Sequence, residues 1–179
     1  MPRDTDRSHL HPIMREKSFA LDAALLAAGI PLDVYEAGRA PARQVDLYAR
    51  GRGVGTPGRH VTNARAWESL HQYGVAEDRV FRVDGAWTWD EPESGMWARY
   101  HALAAKVGLR PLSFEKPHVE LPLHLAPLRA GRYPDGGDAS WRDWLEANIE
   151  AWGQESRTFG GIVHPAAPPL LLDRPPLVA

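Results

Sequence analysis

The chain has 179 residues, enough for one hydrophobic core and too few for two large domains. A net charge of −2 lacks the basic excess of a nucleic-acid binder, and 44% hydrophobic with 25% charged residues is ordinary soluble composition without a membrane-length apolar run, so neither nucleic acid nor membrane is expected as a partner. Cysteine is absent, which excludes disulfides and thiolate nucleophiles and leaves eight histidines and the carboxylates as the strong metal ligands.

In chain order, apolar residues at helical spacing predict an amphipathic helix from Ile13 to Ala28, closed by Gly29. A short extended run, Pro31 to Ala37, follows. Pro41 opens a second helix through Gln44, Leu47 and Tyr48, which Gly51 and an exposed glycine-rich loop, GRGVGTPGRH, terminate. Val75 to Val83 reads as a strand, followed by a Trp-rich turn, DGAWTWDEPESG. Ser94 is placed to cap a helix with Met96, Trp97, Tyr100, Ala104 and Val107 on one face and Gly108 at its end. His118 to Leu121 reads as a short strand. Asp138 or Ser140 caps a last helix carrying Trp141, Trp144, Leu145, Ile149 and Trp152. The domain is expected to end at Gly153, with residues 154–179 a proline-rich tail lacking regular hydrogen-bonded structure. Helices and short strands without regular alternation predict an α+β fold.

Two segments carry candidate chemistry. In SLHQYGVAED, His71 and Asp78 stand seven residues apart, about 10 Å along a helix and about 23 Å along a strand, so both reach one ion only if the chain reverses between them. Gly74 is placed for that reversal, with Asp78 on a strand and His71 on a loop. In FEKPHVE, His118 follows a carboxylate, Glu115, by three residues, and Pro117 fixes the backbone before it. Zinc hydrolases combine three protein ligands with a carboxylate that accepts a proton from water. Taken singly, either segment reads as surface or satisfied core residues; the joint pattern in a cysteine-free chain is what points to a metal.

The two segments resemble the zinc peptidases of bacterial cell-wall peptides: D-alanyl-D-alanine carboxypeptidases, vancomycin-resistance dipeptidases and the L-alanyl-D-glutamate endopeptidases of phage endolysins. The family signature S-x-H-x-x-G-x-A-x-D, then E-x-x-H, is met by Ser69, His71, Gly74, Ala76 and Asp78, and by Glu115 and His118. Upstream, Arg39, Arg43, Gln44 and Tyr48 are similar to the endopeptidase branch, and the resemblance extends from about Ile13 to Leu121. It implies a small antiparallel sheet with flanking helices, a fold shared with the hedgehog signalling domain. It also implies Zn2+ as cofactor on His71, Asp78 and His118, with Glu115 as general base and later acid. Arg39 would hold substrate or the developing oxyanion, and Ser69 and Gln44 would support the ligands or the substrate. The implied substrate is the peptidoglycan stem peptide, cut between L-alanine and D-glutamate, with D-alanyl-D-alanine cleavage or a non-catalytic zinc-stabilised binding module as alternatives. A monomer is expected.

The polar start, MPRDTDRSHLHP, has no signal-like apolar core, so the expected location is the cytoplasm until release to the wall, or phage-encoded production. One departure stands out. Where relatives carry W-G-G-x-W before the catalytic glutamate, this chain has only Leu109 to Phe114, so one wall of the cleft is expected to be shorter. The remaining histidines, His9, His11, His60, His101, His124 and His164, read as surface or packing residues. Trp87 and Trp89 read as a partly buried loop, and Glu120 as a support for a ligand or a solvent-facing carboxylate.

Overall fold

The computed structural model describes residues 2–53 and 57–171, so part of the glycine-rich loop and the last eight residues of the expected tail lie outside the described residues. The architecture is α+β. A 3-10 turn, Arg7–His9, leads into α1, Pro12–Ala27, which starts on proline and ends before Gly29 in the left-handed region at φ +65°. Strand β1, Leu32–Glu36, precedes α2, Pro41–Ala49, and a second 3-10 turn, Leu70–Tyr73, precedes β2, Ala76–Val83. Then come β3, Ala86–Thr88, α3, Met96–Lys106, β4, Arg110–Leu112, β5, Glu115–Glu120, α4, Leu125–Arg129, and α5, Ala139–Trp152. The hairpin of β6, Arg157–Phe159, and β7, Ile162–His164, follows.

The main sheet is antiparallel in the order β1-β2-β5-β4, with β3 also paired to β2. Strand β2 is its axis and is buried on both faces over Ala76 to Phe81. Because side chains alternate, Glu77 and Arg79 face α1, where Ser18 donates to Glu77 at 2.7 Å and Arg79 pairs with Glu77 at 2.7 Å, while Asp78 faces the other way. Helix α1 buries Met14, Ser18, Leu21 and Leu25 at helical spacing; α3 buries Met96, Trp97, Tyr100 and Ala104, and α5 buries Trp141, Leu145, Ile149 and Trp152. These stripes join one core. No described helix is long and apolar enough to cross a membrane.

Several local expectations are corrected. Helix α3 is preceded by Gly95 at φ +86° with no side-chain cap, so Ser94 does not cap it. The Trp-rich turn contains β3, because Asp84-Gly85 forms a tight reversal after β2. The short strand at His118 extends back to Glu115, paired with the unforeseen β4, and α4 was also not expected. Regular structure continues past Gly153, since the Gly160-Gly161 pair turns a hairpin whose last residue, His164, is buried along with Ala167.

The N-terminal segment holds two points of the chain beside the future site. The Ala37 N–H donates to the Asp4 carbonyl at 2.7 Å, and the His11 N–H donates to the Gly74 carbonyl at 2.8 Å. Gly74 itself sits at φ +67°, and a Cβ there would lie 2.5 Å from the His9 carbonyl oxygen and 2.9 Å from the Trp141 ring. Left-handed strain and overpacking add, so Gly74→Ala is expected to cost roughly 2–4 kcal/mol, a fall in Tm of about 5–15 °C. Thermal melts of the two proteins check this, and an unchanged Tm contradicts it.

Candidate metal centre and cleft

Chain reversal at Gly74 brings the first motif together. His71 lies in the 3-10 turn, Gly74 closes that turn, and β2 carries Asp78 back toward the histidine. Asp78 is the direct cross-strand partner of His118 on β5, which completes the group. His71 Nε2 and His118 Nδ1 are 3.1 Å apart, and each lies 3.2 Å from Asp78 Oδ1. Ligand atoms at about 2.0–2.1 Å from one tetrahedral ion stand about 3.3–3.4 Å apart, so this triangle fits a divalent metal with its fourth position open. Two imidazole nitrogens and one carboxylate oxygen are a donor set suited to zinc.

The far side of each ligand is held as well. His71 Nδ1 donates to the Ala37 carbonyl at 2.8 Å, which leaves Nε2 as the lone pair. Asp78 Oδ2 accepts from Arg39 Nη2 at 2.7 Å, and His118 Nε2 lies 3.0 Å from Glu120 Oε2. All three ligands are buried, with Asp78 the most exposed at 9%.

Two strand irregularities aim further carboxylates at the same face. Val34 pairs with Arg79 but Glu36 pairs with Asp78, so a bulge in β1 turns Glu36 away from the α1 face and toward the His71, Asp78 and His118 cluster. Glu36 Oε2 there accepts from Arg39 Nε at 2.8 Å, while Oε1 takes the Arg43 guanidinium. In β5 the register jumps between Val119, opposite Pro111, and Glu115, opposite Leu112. Pro117 has no N–H for a regular ladder, and the shift lets Glu115 line the same cleft as His118 although the two are an odd number of residues apart. Glu115 is half-buried, and its carboxylate has no hydrogen-bond or ion-pair partner among the described residues.

The cleft, about 450 Å³, is lined by Arg39, Ser69, His71, Glu115 and His118 among others, with Leu112 and Phe114 contributed by the stretch just before Glu115. Arg39 is 7% exposed and its guanidinium is committed to Glu36, Asp78 and, at 3.2 Å, Gln44 Oε1. Gln44 is in turn anchored by donating to the Ala64 carbonyl at 2.6 Å, tying α2 to the 60–64 wall. Ser69 is half-buried at the cleft, its N–H donating to Gln72 Oε1 at 3.2 Å. Sequence reasoning did not single out Glu36, which stands three residues before Arg39, nor Arg110. His60 reaches the cleft rim beside Arg52, which the sequence also did not indicate. The other histidines are accounted for locally: His9 stacks on Trp144, His11 packs on Trp141, His101 bonds the Lys116 carbonyl, His164 Nδ1 accepts from the Ala66 N–H, and His124 is exposed at the start of α4. Trp87 and Trp89 pack edge-on against Tyr35.

Electrostatics follow from the geometry. Burial would raise the Asp78 pKa, but His71, His118 and Arg39 outweigh it and hold the carboxyl well below its usual range. Burial would lower the His118 pKa, but hydrogen bonds to Asp78 and Glu120 raise it to about 9 in the absence of a metal. A histidine with a raised folded-state value contributes stability that is complete below its unfolded value of 6.5 and is lost as pH rises through about 9. Metal-free protein is therefore expected to lose thermal stability between about pH 6.5 and 9, and metal affinity to rise over the same window as the competing proton leaves. Melting curves in chelator across that range test this, and a flat Tm counts against it.

No family model matches the chain. It is similar to the peptidoglycan L-alanyl-D-glutamate endopeptidase CwlK of Bacillus subtilis (strain 168), at 39% identity over 89 residues, 49% of this chain and 52% of the relative. The chain spans about half the length of the curated relative it matches. The chain carries both motifs, and His71, Asp78 and His118 gather in one buried cluster able to hold a metal ion.

Proposed function

We propose that the chain is a zinc-dependent peptidase of peptidoglycan stem peptides, cutting between L-alanine and D-glutamate. The observation that carries this reading is the triangle of His71 Nε2, Asp78 Oδ1 and His118 Nδ1 opening onto a cleft that also holds the unpaired carboxylate of Glu115. The relative's peptidoglycan specificity supports the substrate class. A module that only binds needs no free carboxylate beside its metal ligands, and Glu115 favours hydrolysis on that ground.

Zinc held by His71, Asp78 and His118 would supply a Lewis acid and a water acidified toward neutral pH. Glu115 accepts the proton that the attacking water gives up and returns it to the leaving amine nitrogen of D-glutamate. Asp78 keeps the charge that a cation needs, because Arg39 and the two imidazoles hold it ionised. Arg39 acts chiefly by positioning Asp78, with Glu36 and Gln44 fixing the guanidinium. Leu112 and Phe114 offer the cleft an apolar edge beside Glu115.

Digestion of purified peptidoglycan, with products identified by mass and by new amino termini, tests the bond. New D-glutamate termini are expected; released D-alanine alone would reassign the bond, and an intact polymer would overturn the peptidase reading. Glu115→Gln is expected to lower turnover by about 10²-fold to 10⁴-fold with zinc content unchanged. His71→Ala is expected to lose the zinc itself, as metal analysis of the purified variants would show.

A further inference from the structure

His118, like Asp78, is held at its far side by a charged side chain of the cleft wall, in its case the carboxylate of Glu120. His118 and Glu120 are two residues apart on β5 and so share a face, and Glu120 is opposite Arg110 on β4. The strand pairing thus lines up Arg110, Glu120 and His118 as neighbours. Glu120 is 6% exposed, Oε2 is 3.0 Å from His118 Nε2, and Oε1 accepts from Arg110 Nε at 2.8 Å and lies 2.7 Å from Nη2. Arg110 Nη2 also donates to the Leu123 carbonyl at 2.9 Å, which anchors the arginine to the backbone.

We propose that Glu120 is a positioning residue of the metal centre: its carboxylate accepts the Nε2–H of His118, so that Nδ1 is the nitrogen turned to the ion, and Arg110 holds the carboxylate in place. The geometry calls for such a partner because the two histidines present opposite nitrogens. His71 offers Nε2, its Nδ1 being fixed by the Ala37 carbonyl, whereas His118 offers Nδ1 and needs an acceptor at Nε2. An imidazole free to rotate would populate orientations that do not coordinate, and a carboxylate acceptor also makes the bound nitrogen more basic. The inference rests on the zinc reading above and adds to it a residue that acts through His118.

The experiment is a zinc titration of metal-stripped protein in competition with a chromophoric chelator, for wild type, Glu120→Ala, Glu120→Gln and Arg110→Gln. Glu120→Ala is expected to bind zinc about 10-fold to 100-fold more weakly. Glu120→Gln keeps an oxygen that can accept the Nε2–H and is expected to recover most of that loss, and Arg110→Gln, which leaves Glu120 in place, is expected to fall between wild type and Glu120→Ala. If Glu120→Ala does not fold, the Glu120→Gln and Arg110→Gln values decide, and wild-type affinity in Arg110→Gln overturns the proposal. Wild-type affinity in Glu120→Ala, or equal losses in the Ala and Gln variants, overturns it while leaving the zinc reading intact. A wild-type protein that takes up no zinc overturns both.

Discussion

Three acceptor atoms, two imidazole nitrogens and one carboxylate oxygen, meet within about 3.2 Å of one another in the buried wall of a cleft. Such a group is costly unless a cation or shared protons satisfy it, and removing one partner of a buried charged set costs more than never having built it. The surrounding residues are arranged around that constraint. Arg43, Glu36, Arg39 and Asp78 alternate in sign on one side, and His118, Glu120 and Arg110 continue on the other. Each ligand has one end toward the common centre and the other end fixed, by a backbone carbonyl, a guanidinium or a carboxylate. Preorganisation of this kind leaves little reorganisation to be done when an ion or a substrate arrives.

Backbone geometry does as much as charge. The N-terminal segment bonds Ala37 and Gly74, the first of which fixes the His71 ring while the second ends the turn that carries it. Helix α5 closes the same corner, since Trp141 Nε1 donates to the Tyr73 carbonyl at 2.9 Å. Strand β2 can offer Asp78 to the cleft because its opposite face is secured independently. There Arg79, fully buried, is bound by Glu77, Asp22 and the Ser18 backbone, so the strand is held from the side away from the chemistry. Asp78 thus stands on the most buried strand of the sheet, His118 on its neighbour β5, and His71 in the short turn that leads into β2. Loops supply the cleft walls, where Arg52 reaches the Thr62 carbonyl at 2.8 Å and Gln44 reaches Ala64.

Much of this was legible in one dimension. The apolar stripes of α1, α3 and α5 follow from helical spacing, and the β2 run follows from its density of Val and Phe. The seven-residue separation of His71 and Asp78 demands a reversal, and the only glycine between them supplies it. What failed had local physical causes. Ser94 has the chemistry of a cap, yet the left-handed Gly95 starts α3; strands of three residues, β3 and β4, carry too little periodicity to be read; and the β6–β7 hairpin has equally short strands, beside a proline-rich stretch, with only the Gly-Gly turn to mark it.

Composition, spacing and backbone sterics are local properties, and from them follow which residue types can hold a metal, where the chain must reverse, and the grouping of Glu115 with His118. What faces what depends on the closed sheet. Two register shifts, at β1 and at β5, turn Glu36 and Glu115 toward the ligands against the simple alternation of a strand, and nothing in a period-two pattern announces them. The commitment of Arg39 to Asp78, and of Glu120 to both His118 and Arg110, likewise depends on which strands become neighbours. Hydrogen-bond partners are chosen by proximity within about 3 Å, and that proximity exists only once the sheet has closed.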